Sequence, residues 1–198
     1  MDSFKRFFEN LIPVPVVYQS HNYDCGAAAL RAVCQYWGVG PEDEDDFIKA
    51  CETDKQDGTH PDDIIRAARA FGLKAGGREG ISIEQLKHCI DLHRPVICAI
   101  QAWEWDSDEE DYETDNDNDS GHYVVAIGYD DNHILFQDPS IKNNMRGRLS
   151  YDEFLERWHD VDRHGTILRQ YGIVLWREDM PEDMDTDTRA SRIKMGKF

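Results

Sequence analysis

The chain has 198 residues, 40% of them hydrophobic and 31% charged, with 22 basic against 40 acidic residues and a formal net charge of −18. That length suits one domain with a real core, and that charge is repelled by nucleic acid and by anionic membrane surfaces, which excludes DNA or RNA binding as a main role. Five cysteines, at 25, 34, 51, 89 and 98, form no CxxC pair, which argues against a secreted disulfide scaffold and for a reducing, cytoplasmic setting.

In chain order, "MDSFKRFFENLIPVPVV" carries an acidic residue at once and prolines within its apolar part, so no signal peptide is expected. No uncharged apolar run approaches the roughly 18–20 residues of a membrane helix. Pro13 and Pro15 predict an extended arm running into Gln19. Apolar residues at 29, 30, 33, 36 and 37 predict a helix from Cys25 to Trp37, stopped by Gly38. A second helix is expected over 42–51, with acids in its first turn, where the macrodipole favours them. A third begins at Pro61 and ends at Gly72. A fourth spans 82–93, with Ser82 as N-cap and Gln85 three residues on. Between the third and fourth helices, "AGGRE" (75–79) reads as a turn after a short strand.

The second half is β-rich. "RPVICAIQAW" (94–103) predicts a buried strand, and "GHYVVAIGY" (121–129) with "HILFQD" (133–138) predicts a hairpin. A short helix over 150–158, a last strand over 171–176 and a polar tail over 177–198 complete the chain. Helices first and antiparallel strands second point to an α+β fold, with one domain over 1–176. Between Glu104 and Asp119, ten residues are acidic and none basic, and without them the net charge falls from −18 to −8. This insertion, 103–121, reads as a solvated loop. It also has the chemistry to attract a basic partner or a divalent cation.

The chemistry starts at "QSHNYDCGAAAL" (19–30). A thiol in the first turn of a helix faces unpaired backbone N–H groups and the positive end of the dipole, and both favour thiolate over thiol. Gly26 is expected to leave open space beside the sulfur. Eight histidines show no i, i+4 pair and no cysteine pair completes a metal set, so no metal is expected. His122 opens a strand, from which its ring can face a helix terminus. Asp138 ends the partner strand before Pro139 and can accept from the far imidazole nitrogen. Gln19 has a carboxamide N–H suited to a developing oxyanion, together with the Cys25 backbone N–H. Each residue alone also has a plainer reading: a small buried hydrophobe, a surface histidine, a turn aspartate, a polar loop residue.

Together, "QSHNYDCGAAALRAVCQYWG", "GHYVVAIGYDDNHILFQDPS" and "LSYDEFLERW" resemble the bacteriocin-processing, double-glycine-leader peptidases, a branch of the papain-like cysteine peptidases. The resemblance runs from about residue 16 to 176. It implies a nucleophile helix packed on an antiparallel sheet, Cys25 as nucleophile, His122 as general base and acid, Asp138 as its orienter and Gln19 as oxyanion donor. It implies no cofactor, an extended peptide substrate, and a cut after small residues such as Gly-Gly. The chain departs from the exporter-linked members in having no membrane span and no P-loop, so it is expected to stand alone, and its acidic insertion before His122 is longer than theirs. The same thiol–imidazole pair also suits acyl transfer or deamidation, and the scaffold suits a non-catalytic peptide-binding domain.

Overall fold

The computed structural model describes residues 11–102, 121–141 and 146–177. The acidic insertion and the tail beyond Arg177 lie outside the described residues. Among the described residues no helix is long and apolar enough to cross a membrane.

Four helices and one strand come first: α1 (Cys25–Trp37), α2 (Glu44–Ala50), α3 (Pro61–Ala70), β1 (Lys74–Arg78) and α4 (Ile83–Asp91). Then follow β2 (Val96–Gln101), β3 (Gly121–Tyr129), β4 (His133–Gln137), β5 (Gly147–Ser150), α5 (Tyr151–Arg157), β6 (His159–Val161), β7 (Ile167–Arg169) and β8 (Gly172–Trp176). Helix α1 is alanine-rich and lies against β3. Small side chains let helix and sheet approach closely, and residues from Cys25 to Leu30 are all buried. Gly38 ends the helix at φ 67°, and the next N–H, of Val39, reaches back to the Cys34 carbonyl at 3.0 Å. At α4, Ser82 and Gln85 form the expected capping box.

The main sheet has the order β1-β8-β2-β3-β4-β5, and every neighbouring pair is antiparallel. Strands β6 and β7 form a separate two-stranded sheet. The α+β architecture is as expected, with two corrections. Gly76 and Gly77 do not form a turn: they lie within β1, paired with Val174 and Ile173 of β8. A Cβ on Gly77 would stand 1.9 Å from the Tyr171 hydroxyl, so the glycine is there for close packing. Strands β5, β6 and β7 were not anticipated, and β1 makes the helical half contribute one edge of the sheet.

The arm before α1 is positioned by hydrogen bonds to residues distant in sequence. A bulge between Ala126 and Gly128 interrupts the β3–β4 ladder, and the Ile127 carbonyl accepts from the Ile12 N–H at 2.7 Å. Further along, Arg146 Nη2 donates to the Val14 carbonyl (2.7 Å) and Gln137 Nε2 to the Val17 carbonyl (2.7 Å). The Gln19 N–H then donates to the Pro139 carbonyl at 3.0 Å. These contacts bring the approach to α1 against the end of β4, where Asp138 lies.

Candidate active site

Three of the four predicted residues meet at one place. Cys25 is the first residue of α1, and His122 the second residue of β3, paired with Ile100 of β2. Val125 pairs with Gln137, so continuing the register by one step sets Asp138 opposite Val124, on the face that carries His122. His122 Nε2 lies 2.8 Å from Asp138 Oδ1, and the ring also hydrogen-bonds Cys25. With Nε2 directed to the carboxylate, Nδ1 is the nitrogen left for the sulfur.

All three side chains are buried, Asp138 completely. Burial disfavours a charged imidazole, but the hydrogen bonds to Asp138 and Cys25 outweigh it and push His122 from 6.5 up to about 10. Burial likewise works against the Asp138 carboxylate. Its bonds to His122 and Ser140 prevail and hold it down at about 2. Ser140 contributes twice, its N–H and its hydroxyl each donating to Asp138 Oδ1 at 2.7 Å. Ser140 was not singled out in the sequence, although Asp-Pro-Ser is the pattern of an aspartate accepting from the backbone two residues on. The site therefore favours an imidazolium between two acceptors.

The N-terminus of α1 is arranged for an anion. Its N-cap residue, Asp24, makes no side-chain bond to the helix, and no acidic residue occupies the first turn. The Asp24 carboxylate is turned instead to His21, accepting from its N–H (3.2 Å) and lying 3.0 Å from its Nδ1. The positive end of the helix is thus not neutralised by its own cap. The other four cysteines have no such setting. Each is at most 1% exposed, and burial pushes the thiols of Cys34, Cys51 and Cys89 up to about 12 and that of Cys98 also upward.

Gln19 does not join the Cys25–His122–Asp138 chain of hydrogen bonds. Its Nε2 donates to the His21 carbonyl at 2.7 Å, which uses one of its two amide hydrogens. Gly26 also differs from expectation. A Cβ there would lie 2.7 Å from Thr59 Cβ and 3.1 Å from Ile64 Cδ1, so the space beside it is filled by the protein's own side chains. The opening lies elsewhere. A cavity of about 480 Å³ is lined among others by Cys25, Gly58, His60, Gly121, Tyr123 and Asp160. That volume falls within the ordinary range of ligand pockets, about 300–1,000 Å³.

Asp160 is a second residue that sequence reasoning missed. Burial pushes its carboxyl up to about 6, against the opposing effects of the Val161 N–H, the Gln101 side chain and the nearby His122. It stands in the polar stretch "HDVDRHG", which has no periodicity to mark it.

Residues 11–165 match the Peptidase_C39 like family. The chain belongs to that family. It is a papain-like cysteine peptidase, as the resemblance implied. Solved structures share its fold. The peptidase domain of Streptococcus ComA, a bifunctional ABC transporter of a quorum-sensing pathway, is 22% identical with a TM-score of 0.60, covering 83% of this chain and 99% of that one. A protein from Bacillus anthracis described as C39-like is 21% identical with a TM-score of 0.61, covering 85% and 98%. A double glycine motif protease from an AMS/PCAT transporter, in complex with the leader peptide, is 21% identical with a TM-score of 0.57, covering 83% and 92%. No curated protein sequence matches the chain significantly.

Proposed function

We propose that this peptidase hydrolyses an extended peptide after a small pair such as Gly-Gly, using Cys25 as nucleophile, His122 as general acid and base, Asp138 as orienter and Gln19 as oxyanion donor. The Cys25 sulfur attacks the scissile carbonyl carbon, and the oxygen becomes an anion held by the N-terminal N–H groups of α1 and the second amide hydrogen of Gln19. The His122 imidazolium gives its proton to the leaving nitrogen, the C–N bond breaks, and a thioester remains. Water then attacks the thioester while His122 takes up a proton. The C–S bond breaks, and the thiolate–imidazolium pair is restored.

The observation that carries this reading is the placement of Cys25 and Asp138 as the two hydrogen-bonding partners of one buried imidazole, at an uncapped helix N-terminus. A small residue pair is the first substrate to test because one structural relative is a double glycine motif protease held with the leader peptide. A synthetic peptide with one central Gly-Gly should be cut after the second glycine, giving an acyl product with a free carboxylate by mass spectrometry. Release of ammonia, or transfer of the acyl group to an added amine in place of water, would replace hydrolysis with the corresponding transfer reaction.

Gln19→Ala should lower kcat by about 10²–10³, the usual effect of losing one oxyanion donor. KM and the melting temperature should change little, because among the described residues the Gln19 side chain bonds only the neighbouring His21 carbonyl. Steady-state kinetics with a thermal melt checks both. An unchanged kcat would remove Gln19 from the mechanism.

A further inference from the structure

The cavity beside Cys25 carries one feature that hydrolysis after glycine does not use. Asp160, at the centre of β6, places its carboxylate over Gly121, the residue immediately before His122. A Cβ on Gly121 would stand 2.6 Å from Asp160 Oδ1. The missing side chain is therefore what lets the acid reach the cavity wall next to the base. Its Oδ1 accepts from the Val161 N–H at 2.8 Å and from Gln101 Nε2 at 3.3 Å, and both donors are neutral.

The cations that also line this cavity are committed or peripheral. Arg163 Nη2 lies 3.4 Å from Asp63 Oδ2, and Lys55 is exposed. His60 Nδ1 accepts from the Asp62 N–H at 3.3 Å, and its Nε2 lies 3.8 Å from Asp162 Oδ2. No cationic side chain pairs with Asp160 among the described residues. The His122 imidazolium, held by Asp138, opposes the burial of this carboxylate without forming an ion pair with it, and burial still raises the carboxyl toward neutrality, a cost to the free protein. A ligand cation entering the cavity removes that cost. The chain's charge of −18 favours the approach of cationic peptides.

We propose that Asp160 is a specificity-determining residue that selects substrates carrying a lysine or arginine side chain close to the scissile bond. The proposal rests on the peptidase reading for the word substrate, but the recognition itself needs only the cavity. A peptide ammonium or guanidinium reaching Asp160 makes a charge-assisted hydrogen bond, which is expected to favour it by about 10–100-fold over a neutral isostere.

The test uses Gly-Gly peptides in which each of the two positions before the glycine pair and each of the four after the cut is occupied in turn by arginine or its neutral isostere citrulline, and by lysine or norleucine. Wild type should show, at one position, a kcat/KM ratio of about 10–100 in favour of the cation, and Asp160→Asn should bring that ratio close to one. Absence of a cation preference at every position in wild type, a comparison that needs no variant, overturns the proposal. So does an Asp160→Asn protein that keeps the preference. The same peptides are also titrated onto Cys25→Ala by fluorescence anisotropy. A preference in binding there without cleavage by wild type overturns the peptidase reading and upholds the recognition by Asp160. No preference in either assay overturns the recognition.

Discussion

Cys25→Ala should abolish turnover, with a loss on the order of 10⁵–10⁶, while the fold survives. Removing the nucleophile of a catalytic unit costs nearly as much as removing the whole unit, because the base and oxyanion donors then have nothing to act on. The fold should tolerate the change because the sulfur's polar partner is His122, which keeps its stronger bond to Asp138. Alanine is also the residue type at 27, 28 and 29 of the same helix. Cleavage of a Gly-Gly peptide followed by mass spectrometry, beside a thermal melt, separates the two effects. Wild-type turnover by Cys25→Ala would end the assignment, since none of the other four cysteines lines the cavity.

The second large effect belongs to His122. His122→Ala should lower kcat/KM by about 10⁴, the upper end of what a positioned acid–base group supplies. Adding it to Cys25→Ala should cost almost nothing more, as for residues that act as one unit. The pH dependence follows from the same geometry. His122 is held up at about 10, so the imidazolium that the proposed mechanism uses as its acid is lost only as pH rises through that value. The alkaline limb of kcat/KM should therefore lie near pH 10 in wild type. Asp138→Asn removes the acceptor that raises His122, so the limb should move to lower pH. A pH–rate profile with an alkaline limb near 7 in wild type, or one unmoved by Asp138→Asn, would contradict the ion-pair description.

Stability is linked with the same signs. His122 is raised above its ordinary 6.5, so its contribution is complete below that value and disappears as pH rises through about 10. Asp138 is depressed below the ordinary carboxylate value of 3.8, so its contribution is present above that value and disappears as pH falls through about 2.

Much of this was legible because it is local. Helix α1 begins and ends where the alanine-rich spacing and Gly38 place it, and the Ser82–Gln85 capping box is written in four residues. The meeting of His122 with Asp138 was also legible, since two strands joined by a short turn must pair and Pro139 must leave the ladder. What could not be read depends on residues distant in sequence. Gly26 suggests open space until Thr59, 33 residues on, fills it. Gly76 and Gly77 suggest a turn, because glycine lacks the side chain that marks a strand, yet the pairing with β8 near the far end of the chain makes them one. Asp160 gives no local signal, and its place at the cavity comes from lying over Gly121 and beside Gln101, which pair with each other across β2 and β3.

The central claim is that Cys25, a residue of the cavity wall, carries an activated nucleophile partnered by His122. Native protein treated briefly with iodoacetamide at pH 6, then digested and mapped by mass spectrometry, should carry the label on Cys25 with Cys34, Cys51, Cys89 and Cys98 untouched, and His122→Ala should slow that labelling sharply. Equal labelling of several cysteines, or a Cys25 that reacts no faster than the buried four, would contradict it.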